Sequence, residues 1–109
     1  MKMKLWEVAD KATILKIKFE KGLDCKEECQ KFLRATKRIE PHLMDNLYEI
    51  NKEMFEWEDE ISLHINKEPK DFYQIGVLYD KLRAGTHRRT IAKNAIAEKY
   101  KEFGEVKKY

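Results

Sequence analysis

The stretch Phe32–His64, F-L-R-A-T-K-R-I-E-P-H-L-M-D-N-L-Y-E-I-N-K-E-M-F-E-W-E-D-E-I-S-L-H, decides the fold. Phe32, Thr36, Ile39, Leu43, Leu47, Ile50, Met54, Trp57, Ile61 and His64 recur at steps of three or four. That is one face of an α-helix. The only irregularity is two successive steps of four, from Ile39 to Leu43 to Leu47, and Pro41 lies inside it. Proline removes one backbone bond, and its ring clashes with the preceding turn. The spacing therefore predicts helix over 25–64 with a kink near Pro41, or two helices nearly end to end with the stripe re-phased between them.

Working outward, Leu5, Val8, Ala12, Leu15 and Phe19 form a second stripe, widened by Ile14 and Ile17. It predicts a helix over 6–21, closed by Gly22 just past its end. Asp24 with Glu27 fits a capping box at the start of the long segment. Asn66-Lys-Glu-Pro-Lys70 is a loop, and Asp71 with Gln74 caps a third helix over 72–103. Its stripe is Ile75, Leu78, Leu82, Ala92, Ile96 and Phe103. Gly85 and Arg89 interrupt that stripe and place a bend over 83–89. The expected fold is all-α. A short N-terminal helix joins a long antiparallel two-helix hairpin in a three-helix oligomerising bundle, as one domain over 1–109.

Composition agrees. Charged residues make up 39% of the 109, which suits helices with wide solvated faces. Four glycines and two prolines are too few turn formers for an all-β chain. The net charge of +3 is too balanced to imply nucleic acid without a clustered patch, so nucleic acid is not an expected partner. No apolar run is long enough for a membrane span, and the N-terminal stretch lacks the apolar core of a signal peptide. The expected location is the cytoplasm, with no membrane partner. Cys25 and Cys29 read as small semi-buried thiols. No cofactor is expected.

Helix length carries an expectation about assembly. A segment of about 40 residues is roughly 60 Å long, whereas a first helix of about 15 residues reaches roughly 23 Å. Folded back at Gly22-Leu23, the first helix covers only the part before Pro41. A bare hairpin cannot bury its own aromatic residues. Tyr48, Met54, Phe55, Trp57, Ile61, Phe72 and Tyr79 are therefore expected at a homo-oligomer interface.

Three polar groups stand out. Glu53–Glu60 carries five acids in eight residues, spread around the helix as a solvated or ion-paired face rather than a metal site. His42, His64 and His87 have no metal-ligand spacing. Thr86-His-Arg-Arg89 follows Gly85. A bend there would let Thr86 cap a helix start whose amides, with two forked guanidiniums, suit an anion. The structural alternative is internal pairing. With a turn near residue 67, Arg88 and Arg89 face Asp45, Asn46 and Glu49. Asp10, Lys11 and Thr13 form the third group. Adjacent Asp10 and Lys11 cannot pair on one helix, and Thr13 can bond back to a carbonyl. Lys11 is expected near Ala35, or near the half of the last helix that follows Arg88.

D-K-A-T-I-L-K-I-K (10–18), E-W-E-D-E-I (56–61), H-R-R-T-I-A-K (87–93) and E-V-K-K-Y (105–109) come in an order that resembles a bacterial and phage domain-of-unknown-function family. Its members look like D-K-x-T-I-L-x-I-K near the start and E-x-K-x-Y at the end. Thr86-His87 stands where that family has Asn-Asp. The resemblance implies a single helical domain and singles out Asp10, Lys11, Thr13, Arg88, Lys93, Lys107 and Tyr109. With Arg89 added, the expected ligand-binding set is Asp10, Lys11, Thr13, Arg88, Arg89, Lys93 and Tyr109. The expected function is a non-enzymatic homo-oligomer that binds an anionic small molecule such as a nucleotide signal, in the manner of a phage-encoded sponge. The alternative is a structural or protein-interaction module without a small-molecule ligand. No nucleophile–base pair, phosphate loop or metal signature suggests an enzyme.

Overall fold

The structure, a computed structural model, describes residues 3–102. Its secondary structure is entirely helical, in four helices: α1 Leu5–Glu20, α2 Lys26–Ala35, α3 Pro41–Ile65 and α4 Phe72–Lys99. The long central segment is thus two helices, not one kinked helix. Proline at the first helical position loses nothing, because that amide has no partner inside the helix. Glu40 just before it is extended, with ψ 133°, as a residue before proline prefers. The end of α4 fixes this break. The Tyr100 hydroxyl donates to the Arg38 carbonyl at 3.0 Å and accepts from the Glu40 amide at 2.9 Å. Lys99 pairs with the Glu40 carboxylate.

Other helix ends follow the sequence in part. Gly22 takes a positive φ of 87°. Its amide bonds to Phe19 at 3.0 Å, and the Leu23 amide reaches Lys18 at 3.1 Å, the paired bonds of a glycine-terminated helix. Asp71 caps α4 by accepting from the Gln74 amide at 3.0 Å. The expected cap at Asp24 is absent. Cys25 holds the position before α2, and no side chain caps that end.

The break at Pro41 overturns the length argument. α2 folds onto α1, which is thereby free to lie across α3 and α4 as well. One core joins Leu5 and Ala9 of α1 to Leu47, Ile50 and Met54 of α3 and to Ala92 and Ile96 of α4. A second joins Val8, Ala12 and Leu15 to Cys29 and Phe32 of α2. Toward its C-terminus α1 continues along α3. Glu20 accepts from the Tyr48 hydroxyl, Lys21 pairs with Asp59, and the Lys21 ammonium lies 5.2 Å from the Phe55 ring centre.

The expected interface residues therefore divide. Met54 and Ile61 are buried inside the chain and are unavailable to a second copy. Tyr48, Phe55 and Trp57 are half-buried by the chain's own helices. Phe72 and Tyr79 are exposed.

α4 also runs unbroken through 83–89, correcting the expected bend. Gly85 is there for a close approach. A Cβ on it would lie 3.0 Å from both Met54 Cγ and Trp57 Cζ3. Thr86 and Thr90 bond back to Leu82 and Thr86 carbonyls within the helix, at 2.9 and 3.1 Å. Hence Thr86 caps nothing, and no helix start is offered to an anion there.

Candidate functional site

Asp10 sits where α1, α3 and α4 meet. Its position on α1 follows from the stripe, one residue beyond the fully buried Ala9, so its carboxylate emerges at the edge of the main core. The side chain retains 14% exposure. Arg89 of α4 grips it with two donors, Nε at 3.1 Å from Oδ1 and Nη2 on Oδ2. Such forked pairing suits guanidinium and carboxylate geometry. Asn51 of α3 donates from Nδ2 to Asp10 Oδ1 at 3.1 Å and to Thr13 Oγ1 at 2.8 Å. Thr13 in turn donates to the Asp10 carbonyl at 2.8 Å. Lys93, 4% exposed, brings its ammonium to 3.9 Å from Asp10 Oδ2 and 5.5 Å from the Trp6 ring centre. A buried ammonium needs such an acid and such a ring face, since unpaired burial is strongly unfavourable.

Four of the expected residues thus converge: Asp10, Thr13, Arg89 and Lys93. Three do not. Lys11 points to α2, 3.6 Å from Glu28 and 5.0 Å from the Phe32 ring centre. Arg88 pairs with Glu53 at 3.2 Å on the surface. Tyr109, like Lys107, lies outside the described residues. In place of the expected Asp45, Asn46 and Glu49, Arg88 meets Glu53 of α3 and Arg89 meets Asp10 of α1. The acidic stretch Glu53–Glu60 is partly used inside the chain, by Arg88 at Glu53 and Lys21 at Asp59. Among the described residues no group of three or more His, Cys, Asp or Glu could hold a metal ion.

Residue-by-residue reading missed Asn51. A signal existed: it lies four residues after Leu47 and three before Met54, a polar amide on the apolar face of α3. It missed Glu102 as well. That carboxylate accepts from the Leu5 amide at 2.8 Å and the Trp6 amide at 3.3 Å. It thereby covers the positive start of α1 from 97 residues away, and no local pattern announces so distant a cap.

Tyr48 and Cys29, elsewhere in the chain, are shifted in pKa. Tyr48 is pushed up to about 12, first by its hydrogen bond to Glu20, then by burial and by the Glu20 charge. Burial, and then the neighbouring Cys25, push the Cys29 thiol up, which makes it a poorer nucleophile. Chemically, the Asp10 cluster is a closed hydrogen-bonded ion network that fixes three helices relative to one another.

No protein-family model, no curated protein and no solved structure matches the chain. Among the described residues no helix is long and apolar enough to cross a membrane.

Proposed function

We propose that this chain is a non-enzymatic helical interaction module that self-associates through the free end of α3 and α4. The observation that carries the reading is the apolar surface there. Leu63, Phe72 and Tyr73 are 72%, 75% and 78% exposed, with Ile65 and Tyr79 beside them in sequence and also exposed. Apolar surface of this kind, concentrated on one part of a small chain, usually marks an interface. The long two-helix hairpin expected from the sequence is then the arm by which copies meet, and a symmetric pairing would bury the same residues on both. Light scattering at micromolar concentration tests it. A mass at a multiple of 13.1 kDa is expected, and Phe72→Ser with Tyr73→Ser should bring it to that of a single chain. A single-chain mass for the unaltered protein would sink the reading.

A second reading is binding of an anionic small molecule such as a nucleotide, the sponge-like role that the motif resemblance suggests. It is favoured by Arg89 and Lys93, two cations beside the one carboxylate of Asp10. Against it, Arg89 is already held by both oxygens of that carboxylate. Thermal-shift measurements with cyclic nucleotides and ADP-ribose separate the two readings, because a ligand that binds only the folded chain raises its Tm. No shift with any of them removes the second.

A further inference from the structure

A groove between α1 and α2, about 380 Å3, adjoins a shallower hollow along the end of α2, about 300 Å3, and the two share Gln30 and Leu33. The floor is apolar: Phe19 and Leu33 are exposed at 46% and 37%, over buried Cys29. The rim is basic. Lys16 and Lys26 line the groove, and Arg34 and Lys37 the hollow. The one acid in the lining, Glu20, is engaged by the Tyr48 hydroxyl.

These four cations are not used in ion pairs among the described residues, as seven other basic residues are. Lys11, Lys21, Lys70, Arg88, Arg89, Lys93 and Lys99 each have a carboxylate within ion-pair distance. Among the described residues, none of Lys16, Lys26, Arg34 and Lys37 does. The Lys16 ammonium lies instead over the Tyr48 ring, 4.5 Å from its centre. The sequence repeats the pattern. Lys26, Gln30, Leu33 and Arg34 fall at steps that keep them on one side of α2, with Lys37 just past its end, while Glu28 faces the other way to Lys11.

We propose that this groove docks an acidic amphipathic helix of a partner protein, its apolar stripe on Phe19 and Leu33 and its carboxylates on the four cations. The charge complementarity selects the sign of the partner. The apolar floor selects a helix with a hydrophobic stripe over a nucleic-acid backbone, which needs phosphate contacts along its whole track. The α2 side of the groove is about 15 Å long at 1.5 Å per residue, enough for roughly three turns of helix.

The probe is a dye-labelled synthetic peptide of about 16 residues, with leucines at helical spacing and glutamates elsewhere, titrated with the full chain by fluorescence anisotropy. Saturable binding is expected, weakened by salt. It should fall at least about tenfold with Leu33→Glu and likewise with Lys26→Glu plus Arg34→Glu. A peptide with lysines in place of glutamates should not bind. Circular dichroism establishes that the variants stay folded, and their positions on the exposed surface of α2 make that the expected result. The inference is overturned if the acidic peptide does not bind, or if Leu33→Glu leaves its binding intact. It is also overturned if Leu33→Glu lowers the oligomer mass, which would make the occupant a second copy. Competition by single-stranded DNA that is lost with the charge reversals but kept with Leu33→Glu would make the groove a polyanion site and overturn it too. The Phe72→Ser, Tyr73→Ser variant should bind the peptide normally, so the groove and the self-association stand or fall separately.

Discussion

Two regions of this small chain carry most of its unusual residues, and they are built in opposite ways. Around Asp10, three helices converge, and both carboxylate oxygens are held from within the chain by Arg89, Asn51 and Lys93. Around Phe72, α3 ends and α4 begins, and the large apolar side chains Leu63, Phe72 and Tyr73 stay mostly exposed. Charge that is buried must be matched on the spot, because desolvation otherwise exceeds what folding can supply. Apolar surface carries no such local demand and can wait for a partner. The polar cluster therefore points inward, to the integrity of the fold, and the aromatic end points outward.

Substitutions can break that contrast, and the largest effect belongs to the buried side. Asp10→Ala removes the carboxylate from Arg89 and from the buried Lys93. It should cost about 3–5 kcal/mol, as losing one partner of a buried pair does, read as a fall in the urea midpoint at unchanged slope. Asp10→Leu combined with Lys93→Met should recover most of that loss. A loss below about 1 kcal/mol for Asp10→Ala would mean that the network is an ornament of the surface.

Gly85→Ala comes next. The added methyl meets Met54 and Trp57 at 3.0 Å. Overpacking of about 1–3 kcal/mol is partly offset by the better helix propensity of alanine, leaving about 1 kcal/mol of net destabilisation. A stabilised variant would show that α3 and α4 can move apart there, and the contrast between a fixed centre and an open end would weaken.

Tyr48 offers a spectroscopic handle at smaller cost. Its ionisation should appear near pH 12 in the folded chain, resolved by ultraviolet absorbance and absent in Tyr48→Phe. The sign follows from the raised value. The neutral hydroxyl bonded to Glu20 adds stability that is fully present below the ordinary tyrosine value of 10 and is lost as pH rises toward 12. Removing the hydroxyl should cost about 0.5 kcal/mol at neutral pH.

The smallest effect on stability belongs to the open end. Phe72→Ser with Tyr73→Ser should change the unfolding free energy of the single chain by no more than about 0.5 kcal/mol, while the oligomer mass falls. A large loss of single-chain stability instead would place these rings in the fold and erase the difference between the two regions.

Much of the helical architecture could be read from residue spacing. The α1 stripe, the Gly22 terminus and the Asp71 cap all depend on neighbours within a turn or two, where backbone geometry is fixed by local sterics. At Pro41 the same local logic offered a kink or a break and could not choose. The choice is made by Tyr100 and Lys99, about sixty residues away, which satisfy the Arg38 carbonyl, the Glu40 amide and the Glu40 carboxylate of the broken segment.

The candidate site divides along the same line. Periodicity and motif drew attention to Asp10, Thr13, Arg89 and Lys93. Nothing local could say that Arg89 would reach Asp10 and not Asp45, nor that Arg88, one residue earlier, would face the other way to Glu53. One residue on a helix is about 100° of rotation, so a small change in register decides which acid meets which base. The stripe of α3 marks Asn51 as out of place, but its partners, and the role of Glu102, appear only when α3 and the end of α4 are brought against α1.

The sequence by itself determined that this chain is helical and where most of its helices begin and end. The tertiary structure alone decided that Pro41 separates two helices, that α1 packs on all the others, and that the arginines are bound to Asp10 and Glu53. Helix formation is governed by contacts within a few residues, whereas the pairing of charges depends on how whole helices are laid against one another.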